Sequence, residues 1–437
     1  MIPWSRSEQR GWYFYDWANS PFQSTAITLL LGPYLTELAK AAAGPSNRVH
    51  PLGVPVDPRA WWGYLISISV ITQVLALPLL GTVADYSARK RTLLAVFAGI
   101  GAATTTCFFF IAGSSYLAGG ILFLVANLAF GASVVVYNSF LPQIAPPEQR
   151  DAISSRGWAI GYLGGGILLA LNLLLFARAK SLGISTGLAV RINLASAGVW
   201  WAVFTLIPLL ALRSRPPGRV RKPGETVFSS VRELFATLRE MRRYPWSLTF
   251  LIAYLLYNDA VQTVITLSAQ FGSDELHITM SNLTIAILMV QFVAFGGSLI
   301  FEYVARLMGA KQAVMVSLVI WTGVLISMYA WVRTTGQFFF MAAVVAIVLG
   351  GTQALSRSLF SQMIPKGREA NYFGVYEISD KGTSWMCPLI FALALQFTGS
   401  YRTAILSLIV FFAAGLLVLA RVDVRQAAIQ SGNVSEA

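Results

Sequence analysis

Residues 61–84 read WWGYLISISVITQVLALPLLGTVA, a run that carries no charged side chain. An α-helix needs about 20 apolar residues to cross the hydrocarbon core of a bilayer, so this run predicts one membrane span. Charged residues follow directly after this run, in Asp85-Tyr-Ser-Ala-Arg89-Lys90-Arg91. A long apolar run that ends in a basic cluster is typical of a transmembrane helix ending at the cytoplasmic surface.

Eleven further apolar runs predict an all-α membrane protein with 12 transmembrane helices. The composition agrees, because 56% of the residues are hydrophobic and only 12% are charged, against about 25% charged in soluble domains. The predicted spans are 12–38, 61–84, 92–111, 117–140, 153–176 and 192–212, and then 246–269, 283–304, 313–332, 338–359, 372–397 and 403–420. We therefore expect an N-terminal six-helix bundle at 1–212, a cytoplasmic linker at 213–245 and a C-terminal six-helix bundle with a short tail at 246–437.

The basic residues are distributed unequally between the two sides of this topology. Of the 32 Lys and Arg residues, 22 fall on the side of the termini and the linker, and eight fall opposite. Because cytoplasmic loops are enriched in Lys and Arg, both termini are predicted to be cytoplasmic, in a cell (inner) membrane. The net charge of +13 does not indicate nucleic acid, since the basic residues lie in short loops rather than along one face.

The linker contains a second pattern. Its apolar residues Phe228, Val231, Phe235 and Leu238 recur at helical spacing, with arginines elsewhere on the turn. This pattern predicts an amphipathic helix on the anionic inner leaflet. A soluble connecting helix is the alternative.

Short strings recur in order in the two groups of spans. Asp85-Tyr-Ser-Ala-Arg89 ends the second span, and Glu302-Tyr-Val-Ala-Arg306 ends the eighth. The first and seventh spans share a second match, whose members are Asn19 and Gln23, and Asn258 and Gln262. The repetition predicts two pseudo-symmetric bundles related by an axis along the membrane normal, with a solute site between them.

Two six-span halves joined by a cytoplasmic linker resemble the major facilitator superfamily. The stretch Gly81-Thr-Val-Ala-Asp85-Tyr-Ser-Ala-Arg89-Lys90-Arg91 resembles that superfamily's G-x-x-x-D-x-x-x-R-x-R signature. The resemblance implies that Asp85, Arg89 and Arg91 make a cytoplasmic gating contact, and the repeat extends this role to Glu302 and Arg306. An acid and several bases at a helix end can form and break contacts as two halves rock. A basic loop with no gating role is the alternative.

Three further strings indicate a particular subfamily within this superfamily. They are Tyr15-Asp-Trp-Ala-Asn-Ser20, Tyr137-Asn-Ser-Phe-Leu-Pro142 and Gly350-Gly-Thr-Gln-Ala-Leu-Ser-Arg-Ser358, the last followed by Phe373-Gly-Val-Tyr376 and Lys381. Together they resemble the subfamily of facilitators related to the yeast autophagy vacuolar amino-acid effluxer. That resemblance implies a transporter, with amino acid efflux as the candidate activity.

Ionisable residues inside the predicted spans are the candidate site. Inserting one ionisable side chain near the centre of a span costs at least about 2.5–3.5 kcal/mol. Such a residue is therefore retained where it is paired, is hydrated or serves a function. Six of them stand out, namely Asp16, Asp259, Arg357, Glu377, Asp380 and Lys381.

Lys381 lies about 14 Å into the eleventh span, near the midplane, and Glu377 lies one helical turn earlier. We predict that Lys381 faces the cavity and binds an anionic group of the solute. An internal Glu377–Lys381 ion pair that only stabilises packing is the alternative. Asp380 points about 100° away from Lys381 around the helix and is grouped with the gating residues.

Asp259 lies in a polar part of the seventh span, beside Asn258 and Gln262. It suits contact with a cation, or protonation, because a carboxyl group in a low-dielectric environment takes up a proton more readily. A hydrated carboxylate near the outer mouth is the alternative.

Asp16 and Arg357 are predicted close to the cytoplasm. Asp16 lies about one turn into the first span, where an acid suits a helix N-terminus, so both gating and substrate contact remain open. Arg357 lies in the last turn of the tenth span. Pairing of Arg357 with Glu302, Asp380 or Glu377 is expected.

The sequence therefore predicts a secondary transporter that moves a small solute by alternating access, with proton coupling, as a monomer in the lipid bilayer. No cofactor or metal is expected, because His50 and His277 fall in polar loops away from any cluster with metal-ligand spacing. The chain lacks a G-x-x-x-x-G-K-[ST] string, which disfavours ATP-driven transport. A channel or non-transporting scaffold and, least favoured, a membrane-embedded enzyme are the alternatives.

Overall fold

The computed structural model describes residues 5–43, 48–58, 61–216, 239–381 and 386–434. The predicted amphipathic helix of the linker falls at 228–238, outside these residues. The α-helices are, in order, α1 (Arg6–Pro21), α2 (Gly32–Ala43), α3 (Trp61–Asp85), α4 (Lys90–Thr106), α5 (Tyr116–Asn138), α6 (Leu141–Ile144), α7 (Pro147–Arg178), α8 (Thr186–Ala211), α9 (Pro245–Gln270), α10 (Met280–Met308), α11 (Ala310–Ala330), α12 (Thr335–Gln362), α13 (Glu369–Lys381), α14 (Met386–Thr398), α15 (Tyr401–Ser407), α16 (Ile409–Arg421) and α17 (Val424–Gln430).

Ten helices within the described ranges are long and apolar enough to cross a membrane. They coincide with ten of the predicted spans, although several begin or end a few residues beyond the apolar run. The helix of the fifth span, for example, starts at Pro147, where proline is well placed at a first helical position. Its first turns are polar, and hydropathy marks only the apolar part of a helix.

The first span changes its hydrogen-bond register along its length. In the first span, α1 gives way at Pro21 to a π-helical segment, Phe22–Leu31, before α2 begins. A π-helix closes i→i+5 hydrogen bonds, so the helix is locally wider than an α-helix. The eleventh span consists of α13 and α14, and residues 382–385 between them lie outside the described part of the chain.

Two hydrophobic clusters divide the molecule into an N-terminal half (α1–α8) and a C-terminal half (α9–α17). Trp12 and Trp201 are fully buried in the first cluster, and Phe250 and Trp321 in the second. Large apolar side chains such as Leu210 (83% exposed) project from the outside of the bundle instead. An apolar exterior around a packed interior is the arrangement that a lipid environment allows.

The halves meet on two sides of the molecule. On one side α3 packs against α13, and on the other side α7 packs against α10 and α12. At the first contact a methyl group on Gly81 would lie 2.3 Å from the carbonyl oxygen of Ala370. The absence of a side chain therefore lets the two helices of different halves touch along their backbones.

Candidate functional site

A cavity of about 240 Å³ lies between the two halves. The N-terminal half contributes α1, the π-helical segment, α5 and α7, and the C-terminal half contributes α9, α10, α12 and α13. Four tyrosine and tryptophan rings line it: Trp158, Tyr162, Tyr254 and Tyr376. Its polar lining residues are Asp16, Asn19, Ser20, Gln23, Ser24, Thr28, Asn138, Gln262, Gln291, Gln353, Arg357 and Glu377.

An ion pair between the halves forms one end of this cavity. Arg357 Nη1 on α12 lies 3.1 Å from Asp16 Oδ2 on α1. The hydroxyl group of Tyr137 donates a hydrogen bond of 2.7 Å to the same carboxylate oxygen. Both charged side chains are buried, so they are screened little by water.

The guanidinium of Arg357 has further partners on the N-terminal half. Its Nε donates to Ser154 Oγ at 2.8 Å, and its Nη2 donates to the Ser154 carbonyl oxygen at 2.9 Å. The guanidinium carbon also lies 4.8 Å from the ring centroid of Trp12, 5.7 Å from that of Tyr137 and 5.3 Å from that of Trp158. These distances fall within cation–π range.

The structure corrects two predictions about this pair. Arg357 binds Asp16, whereas the sequence suggested Glu302, Asp380 or Glu377 as its partner. Glu302 instead binds Arg156 and Arg306. Asp16 was placed about one turn into the first span, but α1 begins at Arg6. Asp16 is therefore ten residues into the helix, or roughly 15 Å from its start, because the polar first turns of α1 escape a hydropathy window.

Glu377 also lines the cavity, as predicted. It is buried, and Asn138 Nδ2 on α5 donates to its Oε1 at 3.4 Å, which makes another contact between the halves. Asp380 and Lys381 belong to α13, but their side chains lie outside the described part of the structure. Whether Lys381 binds the solute or pairs with Glu377 stays a prediction.

Asp259 does not face the cavity. It is only 1% exposed, and its Oδ2 accepts a hydrogen bond of 3.0 Å from the backbone N–H of Cys387, in the first turn of α14. The alternative of a hydrated carboxylate is therefore wrong. Asn258 is buried beside it without lining the cavity, whereas Gln262, one helical turn further on, does line it.

Asp85 joins the halves at the end of α3. Its carboxylate accepts hydrogen bonds from the backbone N–H groups of Ala370 (3.0 Å) and Asn371 (2.8 Å), in the first turn of α13. It thus caps a helix of the opposite half, where the unpaired N–H groups and the helix dipole favour a negative charge.

The base beside Asp85 differs from the prediction. Lys90 is buried and its Nζ lies 3.1 Å from Asp85 Oδ1, while Arg89 and Arg91 are exposed on the surface. Lys90 starts α4 and points back towards the end of α3, whereas its two neighbours turn outward. The signature string predicted a contact of Asp85 at this position, but it did not identify Lys90 as the base that makes it.

Glu302, the counterpart of Asp85 in the repeat, also reaches the opposite half. Its carboxylate accepts two hydrogen bonds from the Arg156 guanidinium on α7, at 2.9 and 3.2 Å, and it contacts Arg306 one turn along its own helix. Glu302 and Arg306 thus lie at a contact between the halves.

A further set of contacts between α7 and α12 was not anticipated from the sequence. Arg150 Nη1 donates to the Ser361 carbonyl oxygen at 2.7 Å, and Ser154 Oγ donates to the Ala354 carbonyl oxygen at 2.7 Å. Asp151 accepts a hydrogen bond from the Ser358 hydroxyl. No pattern along the chain pairs these residues.

These contacts between the halves lie at the end of the molecule where α3 ends and α7 begins. From Asp16 the cavity lining runs in the other direction, along α1 and the π-helical segment to Thr28. Tyr162 donates a hydrogen bond of 2.8 Å to Gln353 across the cavity wall. The neutral lining residues Gln353 and Gln291 could not be predicted, because they are neither ionisable nor part of the Asn and Gln match between the first and seventh spans.

Comparison with known proteins identifies the family. The model of the family described as "Vacuole effluxer Atg22 like" matches residues 4–432. The chain belongs to the Atg22-like family. An MFS-type transporter of Bacillus subtilis, YxiO, is 33% identical over 94% of both chains. Autophagy-related protein 22 of Neurospora crassa is 25% identical, over 92% of this chain and 69% of its own length.

Solved structures agree on the fold of the Atg22-like chain. A bacterial homologue of the iron transporter ferroportin, in its outward-facing state, matches with a TM-score of 0.69 and 14% identity over 95% of this chain and 99% of its own. The Escherichia coli fucose:proton symporter FucP matches with a TM-score of 0.68 and 12% identity, over 97% of this chain and 99% of its own. The Atg22-like protein is thus a multi-pass transporter of the major facilitator superfamily, and it is not an enzyme.

Proposed function

We propose that this transporter moves amino acids by alternating access and that the cavity between the halves is the binding site. The observation that carries the proposal is the pairing of charges there: the carboxylates of Asp16 and Glu377 and the guanidinium of Arg357 face one small space. An amino acid carries one ammonium and one carboxylate. Charge-assisted hydrogen bonds to a carboxylate and to a guanidinium would hold both groups.

The size and the remaining lining of the cavity support a small polar solute. Its volume of about 240 Å³ is below the usual range of ligand pockets, roughly 300–1,000 Å³. Side-chain amides from both halves surround the charged end, and five aromatic rings supply apolar contact. Efflux is the direction suggested by the family's description as a vacuole effluxer.

The wider arrangement is part of the same proposal. The 22-to-8 distribution of basic residues supports an inner-membrane protein with both termini in the cytoplasm. The two hydrophobic clusters support bundles at 1–212 and 246–437 joined by a linker at 213–245. We propose that the carrier is a proton-coupled monomer, with the cavity carboxylates as the proton acceptors.

A thermal-shift screen of the purified protein against amino acids, peptides, nucleosides and sugars tests the substrate class. A ligand at 100 times its Kd stabilises the folded state by about 2.7 kcal/mol, so an amino acid should raise the melting temperature of the wild type. Asp16→Asn should lose this response. Glu37→Gln should keep it, because Glu37 is exposed and forms an ion pair with Lys40 on the same helix, away from the cavity. Stabilisation by sugars or nucleosides alone would reject the proposal, and no stabilisation by any solute would favour a scaffold.

A further inference from the structure

The Arg357 guanidinium is held by the half of the molecule to which it does not belong. Arg357 is part of α12 in the C-terminal half, yet each hydrogen bond that it donates to a described residue is accepted in the N-terminal half. The acceptors are Asp16 Oδ2 at 3.1 Å, Ser154 Oγ at 2.8 Å and the Ser154 carbonyl oxygen at 2.9 Å. The side chain is 3% exposed.

The rings around the guanidinium belong to the N-terminal half as well. Trp12, Tyr137 and Trp158, which we call the aromatic cage, lie 4.8, 5.7 and 5.3 Å from the guanidinium carbon. Aromatic faces attract cations, most strongly where water is excluded, and the adjacent Asp16 carboxylate adds a full negative charge. The N-terminal half alone therefore supplies the components of a cation site.

Contacts that do not involve Arg357 hold much of this site in shape. The indole N–H of Trp12 donates to the Tyr137 carbonyl oxygen at 3.0 Å, and the two rings stack with centroids 4.3 Å apart. The Tyr137 hydroxyl group donates to Asp16 Oδ2 at 2.7 Å. Because these contacts lie within one half, two rings of the cage and the carboxylate should keep their arrangement when the other half moves away.

We propose that Asp16, Ser154 and the aromatic cage form a binding site for an ammonium or guanidinium cation, and that Arg357 fills it as a tethered ligand while the halves are closed at this end. The proposal rests on the proposed alternating access. When the halves part here, Arg357 leaves with α12. The Asp16 carboxylate, left without its counter-charge, then takes up the cationic group of the solute.

This exchange gives the two conformations different affinities for the same solute. In the closed conformation the cation site is occupied, and the solute ammonium must move further into the cavity, away from Asp16. A carrier needs such a difference in affinity, because a ligand that binds both conformations equally well does not shift the equilibrium between them. Re-entry of Arg357 would thus displace the solute towards the open side.

Chemical rescue tests the site without relying on transport. Arg357→Ala, in the full-length purified protein, should melt at a lower temperature than the wild type. Methylguanidinium chloride at millimolar concentrations should restore at least half of that loss in a saturable way, while sodium chloride at equal ionic strength should not. Arg357→Gln provides the same test if the alanine variant does not fold, and adding Asp16→Asn to either variant should abolish the rescue.

Arg150→Ala is the matched control. Arg150 is also buried at the contact between α7 and α12, but its guanidinium donates to the backbone oxygens of Ala145 and Ser361. We expect no rescue in this variant. Equal rescue of Arg150→Ala, or no rescue of either Arg357 variant, overturns the proposal. Saturable rescue in a protein that shows no amino acid binding supports the cation site while rejecting the proposed substrate class.

Discussion

Gly157 on α7 lies against the Asp16–Arg357 ion pair and leaves no room for a methyl group. A Cβ atom there would be 2.7 Å from Asp16 Oδ2, 2.9 Å from the Trp12 ring and 3.2 Å from Arg357 Nη2. Glycines recur at 157, 161 and 165 in this span, a spacing that by itself indicates only close packing of helices. The ion pair therefore requires that residue 157 have no side chain, so Gly157 does more than allow two helices to pack closely.

Gly157→Ala should separate the two charges or displace the Trp12 ring. Overpacking of this kind costs about 1–3 kcal/mol, so we expect a lower melting temperature and strongly reduced transport in proteoliposomes. Gly99→Ala is the control, because no atom lies within 4 Å of a Cβ at that helical position. Unchanged transport by Gly157→Ala, at normal protein levels, would show that the ion pair tolerates displacement.

Single residues were predictable where they carry charge in an apolar setting. Asp16, Arg357 and Glu377 stand out in this way, and all three line the cavity. Tyr137 and Ser154 do not stand out, because a neutral polar residue is common in a membrane helix and its partner comes from a distant part of the chain. Asp259 is also a charged residue in an apolar span, but it accepts a hydrogen bond from the backbone N–H of Cys387 on α14 instead of lining the cavity.

At the scale of the helix, the cap that α3 provides for α13 is the contact most clearly suited to a conformational role. Two backbone N–H groups of α13 would lose their acceptor if the halves separated at this end. A cap is worth about 1 kcal/mol, and a favourable, partly buried charge at a helix end up to about 2 kcal/mol. Such a contact is strong enough to bias an equilibrium and weak enough to break in each cycle.

Asp85→Asn should therefore slow transport while leaving equilibrium affinity for the solute within a few-fold of wild type. The amide can still accept a hydrogen bond, but it loses the negative charge facing Lys90 and the helix N-terminus. Asp423→Asn is the control, because Asp423 caps α17 through Gln426 N (2.9 Å) within its own half. Lost affinity with normal transport rates in Asp85→Asn would assign Asp85 to the solute site instead.

Ten helices could be located from hydropathy because apolar length alone defines them. The π-helical segment of the first span could not be located in this way. A window of about 20 residues averages over the hydrogen-bond register, and Phe22–Leu31 is no less apolar than an α-helical run. The register depends on how α1 packs against α7 and α8, which is tertiary information.

For the whole molecule, the closed end should face the cytoplasm. The side chain of Gln9 donates to the Ile144 carbonyl oxygen and that of Asn433 to the Ile364 carbonyl oxygen, so both termini lie at this end. The basic residues that favour the cytoplasm are concentrated on the same side. The conformation described here would then be one whose cavity is closed towards the cytoplasm.

Reporter fusions test this orientation. A reporter that is active only in the cytoplasm should function when fused after residue 437 and be silent when inserted at Ser114, in the turn between α4 and α5. A reporter active only outside should give the reverse result. Activity outside for the C-terminal fusion would invert the topology and place the Asp85 contact on the external side.

The two-bundle architecture was predictable from the weak internal repeat, because duplicated halves retain matching strings at matching helix ends. Asp85 and Glu302 illustrate this, since both reach across to the opposite half. The repeat also pointed to a site between the bundles, but it could not show which of its polar residues face the cavity. Asn19, Gln23 and Gln262 do, and Asn258 does not.

The π-helical segment also removes the symmetry of the cavity. The first span becomes π-helical directly after Pro21, whereas its counterpart stays α-helical to Gln270, and the π-helical turn Phe271–Glu275 follows only then. Beyond Gln23 and Gln262, equivalent positions of the two spans no longer point in equivalent directions. A solute turned end for end would therefore meet a different set of atoms, so the enclosure distinguishes the two orientations of a solute although it is built from two related bundles.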